Sequence, residues 1–312
     1  MSEESSNQNE PCSTEQLNIL VIADDKAGHQ NQSLGLAQAI ERYRPISLEI
    51  VDPLNASEVM FCNLTKQPPK KWRQISPPDL IISTGSGTHL SLLTAGRLYP
   101  QSYTTLLCSS LYPASWFDLN PVPEHDNRRP APNVIATKGV LNKVVPAHRP
   151  VPNYGLMLVG GESKHYRWNS RSIIRQIKAI QEQAPGTEWH ITNSRRTPKD
   201  FESLLKKRIP NSRFHRWQDT QGNWLPEQLT KAEKIWVTPD SVSMVYESLT
   251  SGNQVYLFRL RSRYTRVAIG IEALRGHETG HIDNKLIVPP TRQEPLWEAD
   301  RVARAILQQL AQ

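Results

Sequence analysis

The chain has 312 residues, with 37 Lys and Arg against 30 Asp and Glu, a formal charge of +7 and 38% hydrophobic residues. At about 150 residues per domain that length suggests two globular domains with ample core. The basic excess favours acidic small molecules, phosphates or an anionic membrane surface, and no nucleic-acid-binding motif accompanies it. Three widely spaced cysteines (Cys12, Cys62, Cys108) argue against a disulfide framework and a cysteine zinc site, and so for a reducing compartment. No apolar run approaches the ~18 residues needed to span a bilayer. The acidic, polar residues 1–16 carry no basic region followed by an apolar stretch, so they read as a disordered tail on a cytoplasmic protein.

Asn18 to Asp24 holds a continuous apolar run, the pattern of a strand covered on both faces in a parallel sheet. The polar loop Asp25-Lys26-Ala27-Gly28-His29-Gln30-Asn31-Gln32 follows, then a helix with Leu34, Ala37 and Ile40 at helical spacing. Ligands bind at the carboxyl ends of strands in open α/β sheets, which makes this loop a candidate site. Gly28 lets backbone approach a ligand closely, and His29 titrates near neutrality; a structural hydrogen bond is its competing role. Further strands are expected at Leu48–Val51, Leu80–Ser83 and Tyr103–Leu107. The turn Thr84-Gly85-Ser86-Gly87-Thr88-His89 leads into a helix over Leu90–Leu98. Gln67–Arg73 reads as a Pro-rich basic loop whose lysines and Trp72 offer contact with an anionic membrane, against the plainer reading of a solvated loop. Pro123-Glu124-His125-Asp126 gathers titratable groups, with an ion-paired loop as the alternative to a catalytic role. A short strand follows near Asn133–Thr137, and Pro146, Pro150 and Pro152 mark a linker.

Tyr154–Val159 restarts the same grammar and ends in Gly160-Gly161-Glu162-Ser163-Lys164-His165, before a helix over Ser170–Gln183. Two glycines, Ser163 and Lys164 after a strand make a phosphate-binding turn, without the Walker spacing. Trp189–Thr192 leads to Asn193-Ser194-Arg195-Arg196-Thr197-Pro198, where Thr197 or Pro198 opens a helix. Arg195 and Arg196 suit bidentate contacts to phosphate oxygens, or equally surface ion pairs. Arg213–Trp217 is a further strand. Ile235–Val237 is next, then a helix capped by Asp240 or Ser241 and ended by Gly252, then Val255–Phe258. That helix start gathers free N–H groups, the Ser241 and Ser243 hydroxyls and a positive dipole end, which suits a phosphate. Glu247 lies one turn beyond Ser243, in reach of a sugar hydroxyl; a buried helix with ordinary caps is the plainer reading. Glu294 to Leu310 closes the chain as an amphipathic helix.

In order along the chain, Asp25–Gln32, Pro123–Asp126, Thr192–Thr197 and Thr238–Met244 together resemble the mitochondrial-fission-factor family, named after the plant "elongated mitochondria" protein. More distantly, the chain resembles GT-B glycosyltransferases of the kind that builds the peptidoglycan lipid intermediate. The resemblance implies an α/β, GT-B-like fold of two Rossmann-like doubly wound domains facing a central cleft. Residues 17–148 form the acceptor side, 153–293 the nucleotide-sugar side and 294–312 the closing helix. It implies a nucleotide-diphosphate sugar as co-substrate, with no cofactor and no metal. The turn residues Gly160, Gly161, Ser163 and Lys164 would hold it together with Asn193, Arg195 and Arg196. Asp240, Ser241, Ser243, Met244 and Glu247 complete that expected set. His29 is the expected general base, with His125 and Asp126 as second candidates. The expected acceptor is a lipid-linked or cell-envelope glycan, and the expected location is cytoplasmic, peripheral at the inner face of the membrane. Two other outcomes fit the same residues: a non-catalytic scaffold that recruits a membrane-remodelling partner, and a nucleotide-sugar epimerase.

Overall fold

Apolar density decides which strands lie at the centre of each sheet. The computed structural model describes residues 15–126, 130–283, 286–291 and 294–311, so nearly all of the expected N-terminal tail lies outside the described residues. The chain divides into two units. The first takes the chain up to Val122, the segment Pro130–Ile135 and everything from Ala299; the second takes Ala136–Glu298 and the short piece that begins at Pro123. In the first unit β1 (Leu17–Ile22), β2 (Ile46–Val51), β3 (Leu80–Ser83) and β4 (Tyr103–Leu106) pair in parallel, in the order β2-β1-β3-β4. The continuous Ile, Leu and Val of β1 and β3 are buried almost throughout, as a strand covered on both faces requires, and β2 lies half exposed at the edge. Helices α1 (Ala27–Glu41), α2 (Ala56–Thr65) and α3 (His89–Leu98) connect them. Two short strands, β5 (Asn120–Pro123) and β6 (Val134–Thr137), form a pair of their own.

The second unit is built on β7 (Val151–Leu158), followed by the two-residue β8 (Tyr166–Arg167), β9 (Glu188–Thr192), β10 (Arg213–His215), β11 (Ala232–Val237) and β12 (Gln254–Leu257). Its main sheet is parallel in the order β10-β9-β7-β11-β12. Short β13 (Arg261–Ser262) pairs with β8, and β14 (His281–Asp283) with β15 (Leu286–Val288). The helices are α4 (Ser170–Gln183), α5 (Phe201–Arg208), α6 (Trp224–Lys231), α7 (Val242–Thr250) and α8 (Arg266–Glu272). Side chains alternate across β7, so Met157 packs with Ile173, Ile177, Phe201 and Trp236 in one core. Leu156 and Leu158 pack with Leu229, Val245 and Leu249 in another, which makes this unit doubly wound. The last helix, α9 (Glu298–Leu310), counts with the first unit. There Asp300 accepts the Tyr43 hydroxyl at 2.7 Å and pairs with Arg304 at 2.9 Å.

Strand order reverses once in each sheet. In the first unit the chain moves outward to β2 on one side of β1 and to β3 and β4 on the other; in the second, β9 and β10 lie on one side of β7, β11 and β12 on the other. The crevice outside the carboxyl ends at such a switch point is where open α/β sheets take ligands.

Four expectations change. Lys70–Trp72 is a 3₁₀ turn, and Trp72 is fully buried in the core with Leu20, Ile22, Cys62 and Ile81, so it cannot touch a membrane. α5 begins at Phe201, later than Thr197 or Pro198, because Thr197 is bonded to the end of β7. Pro152 belongs to the exposed first residues of β7 and not to a linker. Trp217 opens a 3₁₀ turn after the short β10. Among the described residues no helix is long and apolar enough to cross a membrane. Trp72→Ala is expected to cost about 3–5 kcal/mol of stability, because a large buried ring leaves a cavity; an unchanged denaturant midpoint would refute its core placement.

Candidate functional site

At the β7/β11 switch point, β7 runs out through Gly160-Gly161 and β11 through Thr238-Pro239-Asp240. The Gly160 N–H donates to Thr238 Oγ1 at 2.7 Å, and the Gly161 N–H donates to Asp240 Oδ2 at 2.9 Å. Arg196, from the loop after β9, reaches the same Oδ2 with Nη2 at 2.9 Å, while its Nη1 donates to the Glu162 carbonyl at 3.0 Å. Thr197 Oγ1 donates to the Val159 carbonyl at 3.2 Å and also contacts the Gly160 carbonyl. The ends of β7, β9 and β11 are thereby tied together. Both glycines are required by distance. A Cβ at position 160 would lie 2.3 Å from Asp240 Oδ2, and one at 161 would lie 2.1 Å from the Arg196 backbone carbonyl.

The Asp240 side chain has no exposed surface, and its Oδ1 has no hydrogen-bond partner among the described residues. Burial pushes its carboxyl up, and the Gly161 N–H, Thr238 and Arg196 oppose that rise. Neither expected cap operates on α7. Ser241 holds the N-cap position without a side-chain bond, and Asp240 is turned to Gly161. The first-turn N–H groups of α7 therefore stay without a side-chain acceptor, beside half-buried Ser241 and exposed Ser243. The Glu247 side chain, one turn on, is half-buried with no hydrogen bond or ion pair among the described residues. Burial pushes its carboxyl up to about 7.

The remaining expected residues divide by what they touch. Ser163 Oγ accepts the His165 and Tyr166 N–H groups, both at 3.2 Å, which shapes the turn after Gly161. Asn193 Oδ1 accepts the Trp217 N–H at 2.7 Å. Met244 is half-buried against the core that holds Val245 and Leu249. Lys164 and Arg195 are exposed and carry no acidic partner among the described residues. Arg195 is thus an available cation, whereas Arg196 is engaged by Asp240. Among the described residues no cluster of His, Cys, Asp and Glu is placed to hold a metal ion.

The first unit presents a separate arrangement at its β1/β3 switch point. His29 Nδ1 lies 2.9 Å from both carboxylate oxygens of Asp24; a carboxylate accepts, so Nδ1–H is the donor in this contact and Nε2 stays outside it. The imidazole rests on Gly85, at φ +97°, where a Cβ would fall 2.3 Å from Nδ1. Ser33 and Thr84 hydroxyls, 2.8 Å apart, join α1 to the end of β3. Asp24, the partner of His29, was passed over by sequence reasoning, because it closes the apolar run Asn18 to Asp24, whose strand ends at Ile22. An acid five positions before a histidine, across a strand-to-helix turn, was the available signal. Glu124–Asp126 form a 3₁₀ turn with Asp126 exposed; the His125 side chain lies outside what is described.

A pair of parallel Rossmann-like units, each with a polar turn at its switch point, is the GT-B fold. The chain belongs to the mitochondrial fission ELM1 family, whose model matches residues 27–310. The uncharacterized protein RP120 of Rickettsia prowazekii is 24% identical over 357 positions, covering 93% of this chain and 98% of that one. Among solved structures, the UDP-GlcNAc 2-epimerase of Methanocaldococcus jannaschii is similar at a TM-score of 0.55 and 13% identity, over 94% of this chain and 100% of that one. The Neisseria meningitidis UDP-GlcNAc 2-epimerase, bound to UDP-GlcNAc, reaches a TM-score of 0.51 at 10% identity, over 95% and 99%. These likenesses establish the fold, and the motifs had pointed to both it and the family.

Gly161→Ala is expected to lower stability by about 1–3 kcal/mol, since backbone must shift to admit the methyl group. Gly186→Ala, whose Cβ would meet nothing within 4 Å, serves as the near-neutral control in the same melts. Glu247 binds its proton more tightly folded than unfolded, so its contribution is present at low pH and falls as pH rises from the ordinary glutamate range to about 7. Melting temperatures across that window should lose this slope in Glu247→Gln; an unchanged slope would place the carboxyl in solvent.

Proposed function

We propose that the protein is a glycosyltransferase that uses a nucleotide-diphosphate sugar, with a lipid-linked or cell-envelope glycan as acceptor. The observation that carries this reading is the Asp240 lock, which consumes Arg196 and the natural α7 cap while leaving the α7 N-terminus and Arg195 available to an anion. In the reaction the acceptor hydroxyl oxygen bonds to the anomeric carbon and its proton passes to a general base, the role for which His29 is the candidate. The bond from that carbon to the diphosphate breaks, and the nucleoside diphosphate leaves with the electron pair. The α7 N–H groups, Ser241, Ser243 and Arg195 take up the leaving charge without a metal. Glu247 accepts or donates a hydrogen bond to a ribose hydroxyl. Asp24 keeps the imidazole in the tautomer that can receive a proton and steadies its charged form.

Epimerisation of the same donor is the competing chemistry, favoured by the UDP-GlcNAc 2-epimerases among the similar structures. Both readings expect nucleoside diphosphates or their sugars to raise the melting temperature, and Glu247→Ala to remove that rise. Product analysis separates a new glycoside from an epimer. A protein that responds to no nucleotide is the scaffold instead. His29→Ala should lower turnover about 10²–10⁴-fold, the usual worth of a positioned base. Nucleotide stabilisation should survive that substitution. Undiminished turnover in folded His29→Ala would remove the base assignment.

A further inference from the structure

The second unit carries a groove of about 770 Å³ between α4 and α5 that belongs to neither switch point. It is lined by Arg171, Arg175 and Lys178 from α4 and by Lys207 and Arg208 from α5, over Ile174 and Leu204. The three α4 cations are spaced by four and then three residues, which puts them on one face of the helix. No acid lines the groove.

Pairing around the groove is selective. Lys206 and Arg216 both bond Glu202, Arg213 pairs with Glu188, and Lys178 reaches only Glu182 at 3.7 Å. The side chains of Arg171, Arg175, Lys207 and Arg208 have no ion pair or hydrogen bond among the described residues. Lys207 and Arg208 sit in the last turn of α5, where a cation complements the helix dipole. Arg171 sits in the first turn of α4, where a cation opposes it and no acidic residue compensates. Five cations converging on a concavity repel one another, and a concave wall concentrates their field, so the arrangement is stabilised by an anion that fills it.

We propose that the α4/α5 groove binds a ligand presenting several phosphate groups. Guanidinium groups match phosphate oxygens in bidentate fashion, which favours phosphate over a scattered carboxylate surface. The volume and the span of five cations exceed what one phosphate occupies. No aromatic side chain lines the groove, so it lacks the stacking platform of single-stranded nucleic acid sites. The same chemistry is supplied by a soluble polyphosphate or by clustered phospholipid headgroups. The inference stands apart from glycosyl transfer, because none of these residues belongs to the site above.

The test uses the full chain and needs no turnover. Inorganic tripolyphosphate is titrated calorimetrically into the wild type, an Arg171→Ala/Arg175→Ala/Lys207→Ala variant, and a Lys143→Ala/Arg149→Ala/Lys231→Ala control that removes equal charge elsewhere. Co-sedimentation with phosphatidylcholine vesicles, with and without phosphatidylglycerol, forms the second arm. The groove variant should bind at least tenfold more weakly in one arm or both, with the control near wild type. Loss confined to the calorimetric arm assigns a soluble ligand, and loss confined to the vesicle arm assigns headgroups. Equal weakening in both variants, no binding in either arm, or groove-dependent capture of oligo(dT) without tripolyphosphate binding would overturn the proposal. Unchanged melting curves show that the variant is folded.

Discussion

A carboxylate taken out of water is costly unless N–H donors and a cation meet it, and Asp240 is met by the Gly161 N–H and the Arg196 guanidinium. Much of the second unit's ligand edge follows from that single bond set. Positions 160 and 161 can carry no side chain, because the carboxylate on one side and the Arg196 backbone on the other fill the space. Arg196 cannot swing out to a ligand without leaving a buried negative charge alone. With Asp240 turned inward, α7 begins without a side-chain cap. Three features that look like separate motifs along the chain are consequences of one contact between residues 79 positions apart.

The two switch points use a carboxylate in different ways. Asp240 is sealed, and its carboxyl group builds a turn. Asp24 keeps 17% of its side chain exposed and His29 keeps 25%, so water reaches this pair. The division falls between two otherwise similar sheets, each with its turn at the reversal of strand order.

What the chain declared locally was its periodicity. Continuous apolar runs at Asn18–Ala23, Leu80–Ser83 and Tyr154–Val159 became buried parallel strands, and Ser170–Gln183 became a helix with those bounds. Local pattern failed where a residue's role depends on a distant partner. Asp240 and Ser241 are both good caps by type, and only the approach of Gly161 and Arg196 decides that neither side chain serves. Trp72 sits among lysines and prolines that suggest a solvated loop, yet its ring lies against Ile81 and Cys62 from elements that composition alone cannot bring together. Asp24 was hidden by the apolar run before it, although β1 stops two residues earlier, at Ile22.

The membership of α9 in the first unit bears on how the protein emerges during synthesis. A chain made from its amino end completes every residue of Ala136–Glu298 before α9 appears, so the second unit has all its parts first. The first unit, begun earlier, must wait for Asp300 to reach Tyr43 and for Val302, Ala303 and Ile306 to be buried. Until then it exposes the surface those residues cover, the circumstance in which partly folded domains aggregate. The order of birth along the chain is thus the reverse of the order in which the two units can finish folding.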